Sequence, residues 1–95
     1  MSQQGLESPL SQSLHDLMNQ DNVTGVVVSD EHGLCAGARG TLNAQSSGHL
    51  QGVFDSATQL SADGEHPTVL IEGTSTQIIL SHSDGFTTSI CKKVQ

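Results

Sequence analysis

Aromatic side chains are nearly absent: Phe54 and Phe86 are the only two in 95 residues, and there is no Trp or Tyr. Cations are almost as scarce, with Arg39, Lys92 and Lys93 set against ten acids for a net charge of −7. Nucleic-acid binding asks for a basic surface and usually for rings on which bases stack, so both shortages argue against it. The same balance disfavours adhesion to an anionic membrane. No run approaches the ~20 apolar residues of a spanning helix. The first ten residues, MSQQGLESPL, lack the basic and apolar regions of a signal peptide. Ser2 stands where myristoylation needs glycine, and Cys91 is one place too far from the end for prenylation. The expectation is a chain with no lipid anchor of its own and no direct membrane insertion. Cys35 and Cys91 allow at most one bridge and, without secretory features, read as reduced thiols of a cytosolic protein.

What is present is aliphatic. Leu, Ile, Val and Phe make 23 of the 95 residues, above the range that signals disorder. The length suits one small domain, read as residues 6–95 behind a flexible stretch at 1–5. A modest aliphatic core of this size gains much from burial against a partner subunit.

Leu6, Leu10, Leu14, Leu17 and Met18 recur at helical spacing, and Ser8-Pro9 supplies a cap and a first-turn proline, which predicts a helix over 8–20. VTGVVVS (23–29) reads as a β-branched strand, DEHG (30–33) as a turn, and LCAGARG (34–40) as the returning strand. Asn43 is a plausible cap for a second helix, on which Leu50, Val53, Phe54, Ala57 and Leu60 fall within one apolar arc. After the linker SADGEHP (61–67) come three strands, TVLIEG, TQIILSH and FTTSICKKV, parted by turn chemistry at 73–75 and 83–85. Val26-Val27-Val28, Val69-Leu70-Ile71 and Ile78-Ile79-Leu80 are apolar on consecutive residues, so both faces of these strands must be covered. The expected fold is α+β: helix, two strands, helix, three strands, as a five-stranded, largely antiparallel sheet with one helix on each face and no third helix.

HGLCAGARGTL (32–42) spaces Gly33, Gly37 and Gly40 as GxxxGxxG. It is neither GxGxxG nor a P-loop, because Thr41-Leu42 follows where Lys-Ser/Thr is required. The glycines fall on a hairpin strand, with Cys35, Gly37 and Arg39 on one face and Leu34, Ala36 and Ala38 on the other. Small side chains there let a helix or a partner approach the backbone. Histidines 15, 32, 49, 66 and 82 show no metal-ligand spacing, and neither cysteine has a CxxC partner. No GxSxG elbow is present. No catalytic, cofactor-binding or metal residue is assigned.

The second helix holds the oddity. Gly48, Gly52 and Ser56 lie at i, i+4 and i+8, opposite the apolar arc, with Gln45 and Gln59 extending the face and Asp55 at its margin. Two interior glycines cost a helix roughly 1 kcal/mol each against alanine. A weak exposed helix that tolerates them is the plain reading; close approach by a partner backbone is the preferred one. TVLIEG likewise has no evident covering strand, and an exposed apolar edge is usually paired. The candidate partner interface is therefore Gly48, Gly52, Ser56, Gln59, Val69, Leu70 and Ile71.

The element order resembles the roadblock/dynein-light-chain fold. GVVVSDEHGL (25–34), ARGTL (38–42) and HSDGFTTSICK (82–92) are similar to the hepatitis B virus X-interacting family of Ragulator subunits, a likeness that spans about Leu6 to Val94. It implies a non-catalytic scaffold that pairs with a sister roadblock subunit through the second helix and third strand, placing Gly48, Gly52, Val69 and Ile71 at or near the contact. It also implies Rag GTPases as partners through the complex, and residence on late endosomes and lysosomes through a lipidated sister subunit. Support of amino-acid-dependent TOR kinase activation follows from the same likeness. Viral X protein and survivin are further implied partners, with an anti-apoptotic role. Two other readings stand beside it: a small-ligand or nucleotide-binding regulator on a profilin-like sheet, and a homodimeric dynein-associated light chain.

Overall fold

Three consecutive valines fix the layering. The computed structural model describes residues 9–94, and in it Val23–Asp30 forms strand β1, with Val26, Val27 and Val28 all buried. Val26 and Val28 pack with Leu14 of helix α1 (Pro9–Met18), and Leu10, Leu17, Met18 and Ile90 flank them. Val27 points the other way, into a second cluster with Leu50 and Phe54 of helix α2 (Ala44–Gln59) and with Leu80. Full burial of one such side chain contributes about 1.5–3 kcal/mol. The remaining strands are β2 (Cys35–Gly40), β3 (Val69–Glu72), β4 (Thr76–Ser83) and β5 (Phe86–Lys93). They form one sheet in the order β2-β1-β5-β4-β3, and every neighbouring pair is antiparallel. This is the α+β arrangement expected from the sequence, with a helix on each face.

Local chemistry sets the ends of the elements. The Ser8 cap lies outside the described residues, and α1 stops at Met18, two residues short of expectation, before a turn that closes at Asn22 in the left-handed region (φ 70). Asn43 caps α2 as anticipated: its side-chain oxygen accepts the N–H of Gln45 at 3.0 Å and of Ser46 at 3.2 Å. A cap of this kind is worth about 1 kcal/mol. Asp84 (φ 53) and Gly85 (φ 83) form a two-residue hairpin between β4 and β5, whose positive angles match the twist of the flanking strands.

Two expectations need correction. Alternation along β2 is broken by a bulge opposite Val28 and Ser29, where Ser29 pairs with Cys35 but Val28 pairs with Gly37. An extra residue reverses the faces beyond it. Cys35 and Ala38 therefore both join the α2 cluster, while Gly37 faces Leu14 of α1. The second correction concerns the rotation of α2. Its buried residues are Ser47, Leu50, Gln51 and Phe54, and Val53 and Leu60 are left 42% and 87% exposed. Polar anchoring explains the turn: Ser47 Oγ donates to the carbonyl of Gly33 at 2.9 Å and lies 2.7 Å from Ser29 Oγ. With one proton on each hydroxyl, Ser29 donates to Ser47 and Ser47 to Gly33. This chain of bonds rolls the helix toward the β1–β2 turn and lifts Val53 off the sheet.

Candidate partner-docking edge

At the opposite edge from β2, strand β3 pairs, among the described residues, only with β4. The register Val69↔Leu80, Leu70↔Ile79, Ile71↔Ile78 sorts its side chains by face. Val69 packs into the α2 cluster and is half-buried, and Ile71, two residues on, shares that face and stays 37% exposed. Leu70 points to the α1 side and is 52% exposed. Helix α1 packs over β1 and β2, which leaves Leu70 with no helix above it among the described residues. Backbone groups on the outer side of β3 have no strand beside them among the described residues, which makes the edge a template for pairing.

Helix α2 contributes a second strip. Gly48, Gly52, Ser56 and Gln59 are all exposed. A methyl group built on Gly48 or on Gly52 would meet nothing within 4 Å. Beside them Val53 and Leu60 add exposed apolar surface. All seven sequence-assigned interface residues thus lie on the surface or at its margin, four along one helix and three along one edge strand. The chemistry available is backbone hydrogen bonding from β3 combined with close apolar approach to α2.

The glycines of residues 32–42 have other employment. Gly33 (φ 84) closes the β1–β2 turn, in which Asp30 Oδ1 accepts the N–H groups of His32 at 2.8 Å and Leu34 at 3.0 Å. Gly37 admits Leu14, and Gly40 lies against the carbonyl of Thr24. Asn43 already occupies the two α2 amides it caps, amides that an anion at the helix start would need.

Three features escaped the sequence. Phe54, His66 and His82 stack, with the two imidazole centroids 3.9 Å apart and each 5.7 Å from the phenyl ring. The stack pins the linker leading into β3 onto α2. In that linker Asp63 accepts the N–H of Glu65 at 3.1 Å and the hydroxyl of Ser61 at 3.0 Å; the Glu65 amide first, then Ser61, holds its carboxyl below the usual carboxylate range. Under α2 lies a buried polar set of Ser29, Ser47, Gln51, Thr87 and Ser89. Gln51 Nε2 donates to Asp55 at 2.9 Å, but Gln51 Oε1, Thr87 Oγ1 and Ser89 Oγ have no partner among the described residues. Of these, only serines and threonines in apolar strands gave any advance signal. No helix among the described residues is long and apolar enough to cross a membrane.

Comparison with known proteins places this geometry. The roadblock/LC7 domain from Streptomyces avermitilis superposes with a TM-score of 0.66 at 22% identity, over 86% of this chain and 73% of that one. Myxococcus xanthus MglB superposes with a TM-score of 0.76 at 14% identity, over 92% and 78%. These show the roadblock/LC7-like fold. In sequence, the Ragulator complex protein LAMTOR5 homolog of Nematostella vectensis is 28% identical over 88 residues, 92% of this chain and 97% of the relative. The model of the Ragulator complex protein LAMTOR5 family matches residues 6–92, and the chain belongs to that family.

Proposed function

We propose that this chain is a non-catalytic scaffold subunit of Ragulator that pairs with a sister roadblock subunit through β3 and α2. One observation carries the reading: among the described residues an apolar edge strand has no strand beside it, and a helix face built from glycine, serine and glutamine is left open to solvent. Strand addition supplies backbone hydrogen bonds, and Gly48 and Gly52 let a facing helix come close. Within the complex the subunit helps to hold Rag GTPases at the lysosomal surface for amino-acid-dependent activation of the TOR kinase complex. Family membership supports that role, and its attachment to the membrane comes through a lipidated sister subunit.

Hydrogen exchange tests the pairing. Amides of residues 68–72 are expected to gain protection when the sister roadblock subunit is added, since paired edge groups exchange only when the pair opens. If none of the five slows, strand addition is the wrong model, and contact through α2 alone would have to join the subunits.

A further inference from the structure

From Thr41 to Cys91 the chain holds five acids, Asp55, Asp63, Glu65, Glu72 and Asp84, and no lysine or arginine. All five are exposed. That span takes in α2, the linker, β3 and β4, the elements around the docking edge, together with most of β5. Arg39 lies on β2, at the other edge of the sheet. Lys92 is the nearest cation in register, two strands inward in the row Glu72–Gln77–Lys92, or about 10 Å at the usual strand spacing.

We infer that this acidic frame selects the partner by charge: the surface that docks on β3 and α2 carries lysine or arginine around an apolar centre, and a second copy of this chain is disfavoured there. The inference rests on the docking reading above and names the partner's chemistry. Two-fold pairing sets the same patch against itself, so every acid of the frame is met by an acid frame. Strand β3 has only four residues, Val69–Glu72. Laid antiparallel to its own copy, it puts two Glu72 carboxylates at the ends of a ladder about 10–13 Å long. That lies well inside the Debye length of about 30 Å at about 0.01 M salt but beyond the about 8 Å at physiological salt, so repulsion acts in dilute buffer and fades as salt rises. Leu70, Ile71, Val53 and Leu60 offer the same apolar attraction to a copy as to a sister subunit. Charge is what remains to tell them apart, and an acid on an edge strand is a common guard against self-pairing.

The test uses the full chain and a Glu65→Lys/Glu72→Lys variant, both positions being exposed. Sedimentation equilibrium is run on each alone and on their mixture, at about 20 mM and about 500 mM salt, which spans strong and weak screening. At low salt the mixture is expected to associate about tenfold more tightly than wild type with itself, and the gap should close at high salt. Glu72→Gln alone, which removes one repulsive charge without adding a cation, should self-associate more than wild type and guards against misfolding of the double variant. Equal association of wild type with itself and with the variant, with residues 68–72 protected in both, overturns charge selection and leaves the docking reading intact. Association that leaves residues 68–72 unprotected, or no association of wild type with the variant at any salt, overturns charge selection at this edge, while the docking reading stands or falls separately on protection of the same amides by the sister subunit.

Discussion

In the β1–β2 hairpin and its exit, a methyl group added at Gly25 would stand 2.5 Å from Thr41 Oγ1, and one at Gly37 would stand 2.6 Å from Leu14 Cδ1. On α2 a methyl added at Gly48 or Gly52 would meet open space. The two regions use the same residue under opposite constraints. In the hairpin, glycine is demanded from inside the fold, by a helix and a loop that lie on the backbone. On the helix nothing inside the fold demands it, although each interior glycine there costs about 1 kcal/mol against alanine. A residue that weakens its own element without serving the fold points to a requirement from outside, and that difference is the ground on which α2 is proposed as a docking face.

The comparison breaks most visibly at Gly40. Its φ is +70, and an added Cβ would collide with the carbonyl of Thr24, the acceptor of the 2.9 Å bond from Thr41 N–H. Gly40→Ala is expected to destabilise the chain by about 3 kcal/mol, from left-handed strain together with the clash. Urea unfolding reads this as a lower midpoint at unchanged slope. A cost below about 1 kcal/mol, within the range of ordinary surface changes and small repacking, would put Gly40 in the same class as the α2 glycines.

How far the sequence could reach is visible at particular residues. Val26-Val27-Val28 announced a sheet buried on both faces because alternation leaves no other use for three valines in a row. Asn43 and Asp84-Gly85 were legible because capping and tight turns are local chemistry. The faces of Cys35 and Gly37 were not, since one bulged residue reverses every assignment beyond it and depends on the partner strand. The exposure of Val53 and Leu60 was hidden for a related reason: Ser47 rolls α2 by bonding to Gly33 and Ser29, residues 14 and 18 positions away. The Phe54–His66–His82 stack joins three separate elements and leaves no local pattern. In the candidate site, the strips on α2 and β3 were readable as anomalies, glycine where alanine is better and apolar residues without a cover. Under the proposed pairing, what would meet them lies in another chain.

Gly52→Leu sharpens the comparison from the other side. Because residue 52 looks into open space, leucine should leave the isolated chain folded and slightly more stable through its better helix propensity. In the complex the same side chain would stand where a partner backbone is expected. Affinity for the sister roadblock subunit should fall by about 5- to 150-fold, corresponding to the 1 to 3 kcal/mol typical of overpacking. Circular dichroism and thermal unfolding check the first statement, and titration calorimetry checks the second. Unchanged affinity would return this face to solvent and remove the outside demand on which the comparison depends.

The smallest effect is expected at Gly48, and it decides where the docking strip ends. A Cβ built on Gly33 would lie 3.7 Å from the Cα of Gly48, so this part of α2 rests against the β1–β2 turn. That hairpin is at the opposite edge of the sheet from β3. The methyl of Gly48→Ala nevertheless points into open space and leaves the turn untouched. Alanine should therefore raise the stability of the isolated chain by up to about 1 kcal/mol, the helix-propensity difference alone. A fall in stability would move Gly48 into the class of the hairpin glycines, demanded by the turn it rests on. Its distance from β3 also limits the effect on pairing, with affinity for the sister subunit falling about threefold or less, since a single methyl at the margin of a contact displaces little. A loss as large as that of Gly52→Leu would show that the partner covers α2 across its whole glycine face and reaches beyond the side nearest the edge strand.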